Sequence, residues 1–96
     1  MGAISGQTTV TTAGTEVVLA AAGTRVNGPV AVKALPTNTG VMYVGSDGAG
    51  VVSSSTGFPL SAGEVIVFEY VGDLSTIWVD ASVNGEKVAW HMLGVM

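Results

Sequence analysis

His91 is the only histidine in this 96-residue chain, and any imidazole chemistry depends on it. The dipeptide Asn84-Gly85 sets up a hairpin register in which the carboxylate nearest His91 is Asp80, diagonal to it on one face. These two groups fall short of the three or four ligands that a zinc site takes, so His91 reads as a surface histidine beside Trp78. The chain has no cysteine, which excludes zinc held by thiolates. A nucleophilic triad would need His91 as its base, but no serine sits in a G-x-S-x-G elbow, and Ser53-Ser54-Ser55-Thr56 reads as a polar loop. Glu64, Glu69 and Asp80 could form the carboxylate pair of a glycoside hydrolase. A chain with seven acidic residues offers such pairs by chance, however. Asp47-Gly48 and Asn38-Thr39-Gly40 are turn chemistry, too sparse in acidic ligands for calcium. The expectation is a protein without catalytic, cofactor or metal-binding residues.

Recognition is better provided for. Trp78, with Asp80 and Lys87 supplying hydrogen bonds, has the makings of a sugar-stacking platform. It equally suits a protein interface, where Trp is enriched, or a covered core position. Pro59 fixes its own φ and holds Phe58 extended, so Gly57-Phe58-Pro59-Leu60 offers two apolar side chains from a stiff tip. They either plug one end of the fold or form a contact loop. The candidate partner contacts are therefore Phe58, Leu60, Trp78, Asp80, Lys87 and His91.

The elements that must position these residues read as strands. Apolar residues alternate, or run for a few positions between turn signals, over 7–12, 15–20, 30–35, 41–44, 64–71, 76–83 and 87–93. No helical period is sustained. This pattern predicts an all-β fold, a jelly-roll or Greek-key β-sandwich of about seven to eight short strands with almost no helix. A two-residue type I′ turn at Asn84-Gly85 pairs Val83 with Glu86, Ala81 with Val88, Val79 with Trp90 and Ile77 with Met92. Trp90 then lies on the core face, while Trp78, Asp80, Lys87 and His91 share the other. The segment 64–71 is apolar on both faces. This predicts a strand in the middle of the fold or beneath a subunit interface. Residues 45–63 read as a long connection, with a brief strand at Val51-Val52. Residues 1–7 read as a flexible arm, and 8–96 as a single domain.

Composition narrows the function. Only 10% of residues are charged, and Arg25, Lys33 and Lys87 stand against seven acids for a net charge of −4. A nucleic-acid binder needs clustered basic residues, and there is no such cluster here. The mean hydropathy of +0.57 comes from short apolar runs, well below the roughly 20 residues of a membrane-spanning helix. The first ten residues lack the basic and apolar regions of a signal peptide, so synthesis in a cytoplasm without general secretory export is expected. A chain so poor in charge is expected to cover its surface with copies of itself or with a partner.

Four strings, Asn38–Gly45, Thr56–Glu64, Asp73–Ala81 and Gly85–Trp90, together resemble small structural proteins of tailed bacteriophages over about Thr8 to Leu93. The shared signatures are a Tyr-Val-Gly strand, a Gly-x-x-Leu-x-x-Gly-Glu turn, a strand opened by Asp-Leu-Ser, and a closing strand. The resemblance implies a β-sandwich or jelly roll on the virion, made in the host cytoplasm. Its role would be a decoration (cement) protein, a dimer or trimer that clamps neighbouring major capsid subunits. The alternative within the family is a fibre or tail module that binds a carbohydrate or receptor. Leu60-Ser61-Ala62-Gly63-Glu64 is also similar to a turn in cupins, but their metal sites take a cluster of histidines and this chain has one.

Overall fold

The computed structural model describes residues 5–20, 29–45, 52–53, 55–69 and 72–92. Among them are eight strands: β1 (Ser5–Val10), β2 (Val17–Val18), β3 (Val30–Ala34), β4 (Met42–Gly45), β5 (Phe58–Leu60), β6 (Val65–Phe68), β7 (Trp78–Ala81) and β8 (Glu86–Met92). The only helical element among the described residues is a 3-10 turn at Leu74–Thr76, capped by the Asp73 carboxylate, which accepts the Ser75 N–H. No helix among the described residues is long and apolar enough to cross a membrane.

The strands form two four-stranded sheets. Sheet A has the order β1-β8-β3-β6 and sheet B the order β2-β7-β4-β5. The pairings β1 with β8, β2 with β7, β3 with β6 and β4 with β5 are those of one long hairpin wrapped into a sandwich, which is the jelly-roll order. It resolves the choice between a jelly roll and a simpler Greek key. It also means that, of the sequential neighbours, only β4 and β5 lie in the same sheet.

Alternation builds the core. In β3, Val30, Val32 and Ala34 are buried while Ala31 and Lys33 face outward. In β8, Val88 and Met92 are buried while Lys87 and His91 are exposed. These side chains meet Met42, Val44, Leu60, Val79 and Ala81 from sheet B, with Leu19, Leu74 and Ile77 closing the ends. Each fully buried Val or Leu side chain contributes about 1.5–3 kcal/mol. Sheet faces packed about 10 Å apart leave no room for a large cavity between them.

The jelly-roll order corrects three expectations. Asn84-Gly85 is a turn, but β7 and β8 do not pair with each other, so it carries the chain from one sheet to the other. Asn84 keeps a negative φ and only Gly85 is positive, at 81°, whereas a type I′ turn needs both. The Gly85 N–H donates to the Val10 carbonyl at 2.8 Å and Asn84 Oδ1 accepts the Ala13 N–H at 2.7 Å, which ties the turn to β1 and the loop after it. Second, of the two places open to 64–71, the middle of the fold is excluded, because β6 is the last strand in the order of sheet A. Third, residues 5–7, expected in a flexible arm, form the start of β1, with Ser5 opposite His91.

The long connection at 45–63 contains a strand that the sequence reading missed. Pro59 lacks an N–H for a ladder, but β5 lies at the edge of sheet B, where proline is tolerated. Val52 is buried, while Val51 and Asp47-Gly48 lie outside the described residues.

Candidate functional site

The six candidate contacts do not come together. Lys87 and His91 are exposed on the outer face of sheet A, whereas Trp78 and Asp80 belong to β7 in sheet B. A sugar platform of Trp78, Asp80 and Lys87 is therefore not formed, and Asp80 is not a neighbour of His91. The reason is the turn at Asn84-Gly85, which moves the chain to the other sheet instead of folding β8 back onto β7.

Asp80 is also not a surface group. It is 3% exposed, lies under the loop after β1, and its Oδ1 accepts the N–H of Gly14 at 3.0 Å and of Ala81 at 2.8 Å. Trp78 is half-buried on the same strand. In the Phe58-Pro59-Leu60 tip the two readings divide between the residues. Leu60 is 2% exposed and packs into the core opposite Met42, while Phe58 is 55% exposed. Trp90 faces the core as expected but is half-buried, with its indole N–H donating to Thr8 Oγ1 at 3.3 Å.

What the fold assembles instead is the outer face of sheet A. Its registers give two rows of side chains across four strands. One runs Ser5, His91, Ala31, Val67 and the other Gln7, Ala89, Lys33, Val65. Ala31 and Ala89 are short, so the taller neighbours Gln7, Lys33, Val65 and His91 enclose a shallow trough of about 450 Å³. The chain's only histidine and two of its three Lys and Arg residues, Lys33 and Lys87, lie on this face, and neither row contains a carboxylate.

This face offers the amide of Gln7, the ammonium groups of Lys33 and Lys87 and the imidazole of His91 beside apolar side chains. His91 shares its row with Ser5, Ala31 and Val67, so no carboxylate stands beside it in that row. No group of three His, Asp or Glu side chains among the described residues could hold a metal ion. Ser53 and Thr56 bond to each other and to their own turn. Glu64 closes the turn before β6, with its Oε1 accepting the Ser61 N–H at 2.7 Å. The sandwich interior is lined by apolar side chains among the described residues.

The trough continues to the β6 edge. Val65 is 52% and Val67 43% exposed, while Ile66 and Phe68 pack inward. β5 and β6 are each the last strand of their sheet and are joined by only four residues, 61–64, so they lie on the same side of the sandwich. Phe58, Val65 and Val67, three of the four large apolar residues that stand exposed among the described residues, therefore share one side. The two-faced apolar pattern of 64–71 was a signal for this side. The trough gave no such signal, because it depends on β3 pairing with β8, more than 50 residues apart in the chain. Compared with protein-family models, with curated proteins and with solved structures, the chain matches none.

Proposed function

We propose that this chain is a non-catalytic assembly protein of a bacteriophage particle, decorating the capsid and bridging major capsid subunits. The observation that carries this reading is the gathering of Phe58, Val65 and Val67 on one side of the sandwich in a chain with few charges. Apolar side chains so placed are stable in water only at modest patch size and gain when covered. The resemblance of its strand and turn strings to phage virion proteins supports the same reading, as does the jelly-roll order, which viral capsid domains use. A cement protein gains strength from multivalency, since each copy holds subunits that would otherwise separate. Lectins also use jelly rolls. The trough with Gln7, Lys33 and His91 on its rim would then be the site of the alternative, a carbohydrate- or receptor-binding module of a fibre or tail.

The test is light scattering of the protein mixed with particles of a matching phage stripped of accessory proteins. Saturation at a fixed ratio to the major capsid protein is expected, and Ala89→Arg, which fills the trough without touching the core, identifies the binding face. Particles left bare at high protein concentration would overturn the proposal. Binding on a glycan array would then move the fibre reading to the front.

A further inference from the structure

The open edge of β6 is formed like one half of a strand pair. The Ala34 N–H donates to the Glu64 carbonyl at 2.9 Å, which fixes the phase of the β3–β6 ladder. From there the antiparallel alternation turns the backbone groups of Ile66 and Phe68 toward β3, and those of Val65 and Val67 off the open side of the sheet. Edge strands are usually guarded by a lysine, a proline or a bulge within the exposed stretch. β6 reads Val-Ile-Val-Phe and has none of these, with its charges, Glu64 and Glu69, kept outside it.

We propose that a second copy of this chain pairs with β6 edge to edge, antiparallel, about a two-fold axis through Ile66. This deepens the assembly reading, on which it rests, by naming one partner and its register. Val65 of each copy lies opposite Val67 of the other, and about four main-chain hydrogen bonds form between them. Glu64 then lies opposite Phe68 and Glu69 opposite Gly63 of the second copy, so no like charges face each other. The edge thus fits itself, which is what an isologous contact requires. Sheet A would continue through both copies, and the row Ala89, Lys33, Val65 would run on into Val67, Ala31 and His91 of the second copy. A four-residue strand per copy covers less than the roughly 1,200–2,000 Å² of a stable interface. The pairing is therefore concentration-dependent in solution and reinforced where a lattice holds the copies side by side.

Sedimentation equilibrium over a concentration series tests this with the full chain, Val67→Pro and Val65→Lys. The wild-type mass is expected to climb from 9.6 kDa toward twice that value. Both variants are expected to remain at the lower mass with unchanged circular dichroism, their dimer Kd raised by about tenfold or more. If proline disturbs the strand, Val65→Lys carries the test, because Val65 is half exposed and a lysine there reaches solvent. In this cysteine-free chain, an oxidised mixture of Val65→Cys and Val67→Cys should cross-link between the two variants, since hydrogen-bonded pairs sit about 5.5 Å apart between Cα atoms. A wild type that stays monomeric throughout, or variants that dimerise like it, would overturn the pairing. Adding stripped particles separates the two proposals. A monomer that still saturates them sinks the dimer and keeps the decorating role, whereas a dimer that ignores them does the reverse.

Discussion

The side-chain amide of Asn38 pairs with both backbone groups of Lys87. Its Nδ2 donates to the Lys87 carbonyl at 2.8 Å and its Oδ1 accepts the Lys87 N–H at 3.1 Å. Asn38 is buried at 9% exposure, in the connection between β3 and β4. One side chain thus stands in for a further residue of the ladder beyond the end of β3. This has an energetic consequence, because a buried backbone group left without a partner costs about 1–3 kcal/mol.

Asn38→Ala is therefore expected to lower stability by about 1–3 kcal/mol, read as a lower urea midpoint at unchanged slope. The Lys87 carbonyl keeps the Leu35 N–H at 3.2 Å, so the Lys87 N–H bears most of the loss. Asn38→Asp sets a carboxylate against that carbonyl and should be no better than alanine. An unmoved midpoint in Asn38→Ala would show that solvent reaches Lys87 and replaces the amide.

Gly6 lies directly under Trp90. A Cβ there would come to 2.6 Å from the ring's Cζ2. Alanine gains about 0.5–1 kcal/mol over glycine in a strand, but overpacking costs about 1–3 kcal/mol, so Gly6→Ala should lose about 1 kcal/mol net. Trp90→Phe removes the crowding and should recover part of that loss in a double-mutant cycle. Simple additivity of the two changes would rule out the contact as the cause. Trp90→Ala, with the ring half-buried, is expected to cost about 2–3 kcal/mol, below the range for a fully buried aromatic.

Leu60 and Phe58 are two residues apart and should behave oppositely. Leu60→Ala is expected to cost about 2–5 kcal/mol, with no effect on assembly once the protein is folded. Phe58→Ala should stay within about 0.5 kcal/mol of the wild type while weakening particle binding. Thermal unfolding and a particle-binding titration on the same two variants check both. A large loss of stability in Phe58→Ala would return that residue to the core.

Gly85→Ala isolates backbone strain. An added Cβ meets no atom within 4 Å, yet φ is +81°. The expected loss is about 1–2 kcal/mol from conformation alone, with Gly85→Asn losing less. For a domain this size each kcal/mol lowers Tm by about 4–8 °C. Equal melting temperatures for glycine, asparagine and alanine would mean that the turn relaxes to another shape.

The sheet content was legible because period-2 alternation is local. Val30, Val32 and Ala34, and Val88 with Met92, declare their inward faces within their own strands. What could not be read was which strand lies beside which. Asn84-Gly85 announces a reversal, but the two-residue spacing is the same whether the chain folds back in one sheet or crosses to the other. That single ambiguity misplaced Trp78 and Asp80 relative to Lys87 and His91. β5 was hidden by Pro59, which argues against a strand unless the edge position is known. The burial of Asp80 was hidden because its partner, the Gly14 N–H, is 66 residues away.

In sheet A the strand latest in the chain, β8, lies second in order, between β1 and β3. A ribosome releases the chain from the front, so β1 emerges early and waits for its neighbour until residues 86–92 appear. Until then β3 has only β6 beside it, and the inward face of sheet A has a gap where Val88 and Met92 belong. Closing that gap completes both the ladder and the core at once. Folding of this chain in this sense waits for residues 86–92, and a ribosome stalled before residue 86 would hold sheet A divided between β1 and the β3–β6 pair.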